Sequence, residues 1–189
     1  MEFDEVIKKR KSVRDFNDKK VSWKDVIDII DCALQGPFAG NINNLKFIIV
    51  EDKDIINKLA EFSSQDWISE ASVVVVVCSD DYFLENKYGL RGRIYSKQQV
   101  GAAIENMLLK ITDLGLAACW VGAFIDDMVK QILKVPQHIQ IEALIPIGYE
   151  RGTTPKKPKK SIESSIFWEN WGINKRQTLS KEPPLINYS

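Results

Sequence analysis

Five consecutive valines, Val73-Val74-Val75-Val76-Val77, followed by Cys78, constrain this chain more than any other stretch. β-branched side chains are stiff at χ1 and favour extended backbone. A strand with one wet face alternates apolar and polar residues. This run does not alternate, so it suits a strand covered on both faces. The layers that cover it must come from elsewhere in the chain. The run is far too short to cross a bilayer.

Flanking segments supply those layers. Ser22-Trp23-Lys24-Asp25 fits a capping box, and Val26, Ile27, Ile29, Ile30, Ala33 and Leu34 follow at helical spacing until Gly36-Pro37 stops them. A loop of small and amide residues, Phe38 to Asn44, leads to a strand over 46–50 and to a helix that begins at Asp52. Residues 80–96 mix aromatics with Lys87, Arg91 and Arg93, and read as an excursion or lid. A long helix is predicted over 96–114, a short strand over 116–121 in which Trp120 is a core residue, a helix over 126–133 and a strand over 141–148. Helices alternating with short strands give an α+β or α/β layered domain around a modest sheet.

Composition limits the chemistry. The chain has 189 residues, enough for one domain with a sizeable core. Lys plus Arg and Asp plus Glu are both 26, which argues against a general nucleic-acid or acidic-membrane binder. Cys32, Cys78 and Cys119 lie far apart in apolar contexts, the pattern of a reducing compartment rather than a disulfide framework. Residues 1–10 are charged and lack an apolar core segment, so no signal peptide is expected and a cytoplasmic location is. The one histidine, His138, has no ligand cluster near it in sequence. No metal site is expected. If the chain is an enzyme, its hard chemistry comes from a bound cofactor.

The stretch Lys8-Lys9-Arg10-Lys11-Ser12-Val13-Arg14 points to the kind of ligand. Arginine offers a planar fork of donors, lysine a point charge and serine a short hydrogen bond, which together suit a phosphate. Val13 and Phe16 suggest that the chain leaves its opening helix here and runs extended, so Ser12 and Arg14 project to one side. The plainer reading is a solvated basic run that complements a helix dipole. Residues 151–160 are rich in Pro, Gly, Thr and Lys and read as an exposed extended stretch. After it, Ile162, Ile166, Phe167, Trp168 and Trp171 are too apolar for a free tail. The expected domain is therefore 1–160, with 161–189 an arm that packs on a partner subunit; the body of its own chain is the alternative.

Taken in order, these blocks resemble the FMN-dependent nitroreductase family over nearly the whole chain. Arg10-Lys11-Ser12-Val13-Arg14-Asp15-Phe16 matches the family's Arg-basic-Ser-x-Arg-x-Phe. Residues 37–47 resemble its Pro-Ser-x-x-Asn-x-Gln-Pro-Trp-x-Phe. Ala102 to Met107 with Leu114-Gly115-Leu116 resembles its central helix, and Trp120-Val121-Gly122-Ala123-Phe124, Ile147-Gly148-Tyr149 and Lys157-Pro158-Lys159-Lys160 fit the remaining blocks. The resemblance implies a three-layer α+β fold with a central mixed or antiparallel sheet flanked by helices, and a homodimer that exchanges C-terminal arms. It implies that Arg10, Lys11, Ser12, Lys157 and Lys159 grip the FMN phosphate and ribityl oxygens. Arg14 would lie by the flavin pyrimidine, where a cation stabilises the charge of the reduced ring. The loop carrying Pro37, Phe38, Ala39 and Asn41 would cover the ring from the partner subunit. The backbone of Val121, Gly122 and Ala123 would sit by flavin N5, so no catalytic side chain is required.

Departures from the family pattern are few. Phe38 replaces a serine, Asn43 a glutamine and Asn44-Leu45 a Pro-Trp; Gln99 stands where aspartate is common and Lys159 where arginine is usual. The implied activity is ping-pong reduction of electron-poor acceptors, nitroaromatics or quinones, by NADH or NADPH. A flavin-storing or sensing protein with little turnover, or a specialised flavin reaction on the same scaffold, remains the alternative.

Overall fold

A computed structural model describes residues 1–175. The chain divides into two units, Met1–Thr154 and Pro155–Ser189. The first unit runs α1 (Phe3–Lys9), β1 (Phe16–Asn17), α2 (Trp23–Leu34), β2 (Leu45–Val50), α3 (Lys53–Phe62), β3 (Val73–Ser79), α4 (Tyr82–Tyr88), α5 (Leu90–Asp113), β4 (Ala117–Ala118), α6 (Asp126–Leu133) and β5 (Gln140–Glu150). The strands form one sheet ordered β1-β5-β3-β2, with β4 also on β5. Every pairing is antiparallel.

The valine run is β3, and it is buried along its whole length. Its pleat divides the core. Val73, Val75 and Val77 pack with residues of α2 and α5, whereas Val74, Val76 and Cys78 pack with residues of α3 and α6. Alternate residues of β5 sort in the same way, with Ala143, Ile145 and Ile147 on the first side and Leu144 on the second. Helices cover both faces, and that double cover, not strand direction, explains a run with no polar alternation. Each buried valine contributes about 1.5–3 kcal/mol relative to leaving it exposed.

Two helix starts follow their sequence signals. The Ser22 hydroxyl accepts the Lys24 N–H, and the Asp52 carboxylate accepts the Ile55 N–H at 3.0 Å. Residues 80–96 differ from the expected excursion: they form α4 and the first turns of α5, so the long helix starts six residues early. Gly89, at φ +59°, makes the break between the two helices. Gly92 keeps them together, because a Cβ there would lie 2.3 Å from the Leu84 carbonyl oxygen. The aromatics and cations of this stretch mask a helix whose packing depends on those two glycines.

The predicted strand over 116–121 is also interrupted. Ala117 pairs Gly148, Ala118 pairs Ile147 and Val121 bridges Leu144, all in one register, which sets Cys119 opposite Pro146. Proline has no N–H to donate, so the ladder breaks there. Next to the break Trp120 turns outward and is 41% exposed, contrary to the expected core position.

In the second unit, residues 162–165 form a short 3-10 turn and Phe167 packs at a tilt against Trp171, 4.6 Å between ring centres. Trp171 is largely exposed. The expected arm extends to 189, and its last fourteen residues, 176–189, lie outside the described residues.

Candidate active site

The cationic segment is placed by backbone pairing. After the last turn of α1 the chain extends, and the Val13 N–H donates to the Ala118 carbonyl of β4 at 2.9 Å. Val13 and Phe16 are buried, while Ser12 and Arg14 face outward on either side of Val13. Only residues 16–17 of the segment are strand, and the buried Val13 and Phe16 lie three apart, so the segment does not follow the strict alternation expected of Ser12 and Arg14. Phe16 fits against Gly148, where a Cβ would meet its ring at 2.8 Å. Arg151 fastens the end of the segment, donating from Nε to the Phe16 carbonyl at 3.0 Å and pairing with Asp15 at 3.2 Å.

The structure brings this segment against the Gly-turn block. Cys119, at the break in β4, is buried, and burial pushes its thiol up. The Arg14 charge, the Ser12 hydroxyl and the Arg10 charge act on that thiol in the opposite direction. Three cation-segment residues therefore converge beside β4. Three and four residues beyond Cys119, Gly122 and Ala123 are exposed. Among the described residues neither donates its N–H to another backbone group. Val121, by contrast, is buried and exchanges both backbone hydrogen bonds with Leu144.

The cations differ in commitment. Lys11 donates to Glu150 Oε1 at 2.9 Å and to the Thr154 carbonyl at 2.8 Å. Burial works to raise the Glu150 carboxyl, but hydrogen bonds from Thr154 and Lys11 outweigh it and hold its pKa below the ordinary value. Lys11 thus ties the segment to the end of β5. Arg10 has a looser partner, Glu105 of α5, at 3.6 Å. Arg14 lies over the Trp67 ring, 5.8 Å from its centre.

The Pro37–Asn41 loop meets α5 nearer its start, between Tyr95 and Ala102. The Ala39 N–H donates to Gln99 Oε1, and Gly40 and Asn41 both take φ +59°. A cavity of about 310 Å³ is lined by Pro37, Phe38, Ala39, Tyr95, Gln98, Gln99 and Ala102. Gly101 faces Trp120 and Glu105 faces Arg10, one helical turn apart on one side of α5. Gln99 and Glu105 are six residues apart, hence about 120° apart around the axis. Gln98 and Ala102, which line the same cavity, lie seven and three residues from Glu105 and share its side, so the loop and the cationic segment meet α5 at different points along its length. Lys157 and Lys159 belong to the second unit and are exposed.

A profile of the nitroreductase family matches residues 7–71 and 60–149. The chain belongs to the nitroreductase family. An Archaeoglobus fulgidus protein provisionally named an NADH dehydrogenase/NAD(P)H nitroreductase is 29% identical over 160 residues, covering 82% of this chain and 86% of the relative. The FMN reductase [NAD(P)H] of Bacillus subtilis is 25% identical over 202 residues, covering 97% and 78%. A crystal structure of a nitroreductase family protein from Clostridium novyi NT superposes with a TM-score of 0.74 at 28% identity, covering 92% of this chain and 96% of that one. The three-layer α+β fold expected from the sequence is the fold of this family.

Sequence reasoning missed Trp67, Glu105, Glu150 and Arg151. Nothing local marks them; each acquires its role from a residue 40 or more positions away in the chain. Among the described residues no group of His, Cys, Asp and Glu could hold a metal ion. No helix of the described residues is long and apolar enough to cross a membrane.

Proposed function

We propose that this nitroreductase-family chain is an FMN-dependent enzyme that takes electrons from NADH or NADPH and reduces small electron-poor acceptors, nitroaromatics and quinones. One observation carries the reading. The Val13–Ala118 backbone bond brings Arg10, Ser12 and Arg14 beside the break in β4 that precedes the exposed N–H groups of Gly122 and Ala123.

That donor set fits FMN. The Arg10 guanidinium and the Ser12 hydroxyl match a phosphate, the Arg14 guanidinium matches the charge of a reduced ring, and peptide N–H groups match the acceptor edge of a flavin ring. Bound there, FMN supplies the two-electron chemistry that no side chain of the site provides. Arg10 and Ser12 hold the phosphate, and Lys11 holds their segment in place through Glu150. Arg14 sets a fixed positive charge at the pyrimidine side. The Gly122 and Ala123 N–H groups orient the N5 edge by donation, without an acid or base side chain. Electron donor and acceptor use one face in turn.

The loop carrying Pro37, Phe38, Ala39 and Asn41 covers the flavin of a partner subunit in this reading. The cavity that this loop lines against α5 supports such a shared site. So do Trp23, Ile27 and Leu34, an exposed apolar stripe at helical spacing on α2. Deleting residues 162–189 is expected to convert the dimer to monomer in sedimentation; a truncated chain that still sediments as a dimer refutes the exchanged arm.

The activity test is direct. Purified protein takes up FMN, and anaerobic mixing with NADH or NADPH bleaches the flavin band within seconds. A steady-state screen of quinones and nitroaromatics with both nicotinamides then ranks acceptors. Protein that binds FMN without bleaching is a storage or sensing protein instead.

A further inference from the structure

Gln99 grips the Pro37–Asn44 loop at both ends. The residue is 4% exposed on α5. Its Oε1 accepts the Ala39 N–H at 3.1 Å, and its Nε2 donates to the Ile42 carbonyl at 3.1 Å and to Asn44 Oδ1. One backbone donor and one backbone acceptor leave a single amide orientation that satisfies both. Asn44 carries the restraint onward, because its Nδ2 donates to Ser96 Oγ at 2.8 Å and to Asp81 Oδ1 at 3.3 Å. Ser79 and Ser96 donate to the same carboxylate oxygen.

Packing alone does not need an amide here. A buried polar side chain destabilises unless its bonds are made, and these bonds go to the loop backbone. The bonds bracket the turn: Gly40 and Asn41 are consecutive residues at φ +59°, a pair of left-handed residues lying between the Ala39 N–H and the Ile42 carbonyl that Gln99 holds.

We propose that Gln99 is a positioning residue of the site: it fixes the Phe38–Asn41 backbone and so sets both the grip on FMN and the shape of the cavity that Phe38, Tyr95 and Gln98 line. The proposal rests on the flavin reading above.

The experiment uses the full chain in wild-type, Gln99→Met and Gln99→Glu forms. Methionine removes all three bonds at similar volume. Glutamate turns an oxygen toward the Ile42 carbonyl and Asn44 Oδ1, and the repulsion drives the side chain off the loop, so the Ala39 bond is lost as well. Hydrogen exchange is followed at residues 37–44 without added FMN, and FMN affinity is then titrated by fluorescence. Losing bonds of this kind is expected to quicken exchange at Ala39 about tenfold or more in both variants, with residues 73–79 unchanged. FMN Kd and acceptor KM are expected to rise about tenfold, and kcat at saturating FMN to stay within about twofold. A purely structural role would instead lower the melting temperature and spread the loss over every parameter.

Unchanged Ala39 exchange in both variants overturns the proposal, whatever FMN does. Faster exchange with FMN Kd and acceptor KM unmoved also overturns it, since the loop would then be held for another purpose. Wild-type protein that takes up no FMN overturns the flavin reading and with it the positioning role, while the exchange data still report whether Gln99 holds the loop. Should Gln99→Met not fold, Gln99→Glu, which disrupts the same bonds by repulsion, carries the same comparison.

Discussion

The two segments that flank α5 are held in opposite ways. Residues 11–17 are fixed by main-chain pairing with β4 and β5, and by Val13 and Phe16 sunk in the core. Residues 37–44 are fixed by side chains, chiefly the amides of Gln99 and Asn44. Backbone pairing lets Arg10, Ser12 and Arg14, the proposed ligand-facing groups, change without moving the strand. Side-chain pinning makes the other loop depend on a residue 60 positions away. The first segment is robust in position and tunable in chemistry; the second is sensitive in position.

The largest effect that can break this contrast is on the anchor of the first segment. Phe16→Ala removes a fully buried ring packed against Gly148 and Trp67, and is expected to cost about 3–5 kcal/mol in urea denaturation. A loss under about 1 kcal/mol would show that the core does not hold the strand, since buried aromatic truncations rarely cost so little.

Next is the ligand-facing chemistry. Arg10→Ala is expected to weaken FMN binding by about 1.5–3 kcal/mol, the range for hydrogen bonds to charged groups, with the urea midpoint unmoved. Lys159→Ala is expected to do the same if the second unit supplies a phosphate ligand. Unchanged affinity in both variants puts the phosphate elsewhere.

Smaller still is Gly40→Ala. The new Cβ would meet Tyr88 Oη and Lys87 Nζ, the mobile ends of two side chains, so the left-handed φ dominates, at about 1 kcal/mol. The damage should appear as faster exchange in residues 37–44 and leave residues 11–17 untouched; equal quickening in both segments would erase the distinction.

The smallest effect is the pH dependence of the Lys11–Glu150 tie. The folded Glu150 pKa is held low, so its contribution is present above the unfolded carboxylate pKa and is lost as pH falls through the folded value. Glu150→Gln should flatten that part of the stability curve; an unaltered curve means the tie contributes nothing.

Much of the fold was legible because its signals are local. The valine run fixed the central strand, Ser22 and Asp52 fixed helix starts, and residues 126–133 are helical as periodicity predicts. What escaped is non-local. The break in β4 is caused by Pro146, on another strand, and the early start of α5 depends on the fit of Gly92 against Leu84. At the site, the cationic residues carry their chemistry in their own side chains and could be named from sequence. Lys11 could be named too, but not its partner Glu150, 139 positions on. Gln99 could be seen only as a departure from the family pattern, since its role exists in three contacts to a distant loop.

The central claim is that Arg10 and Ser12 meet a phosphate beside β4, and comparing wild-type affinity for FMN and for riboflavin tests it most directly. Two charge-assisted hydrogen bonds predict that FMN binds about 100-fold tighter or more, and that Arg10→Ala removes about tenfold or more of that preference. Equal affinity for the two flavins, with or without Arg10, would contradict it.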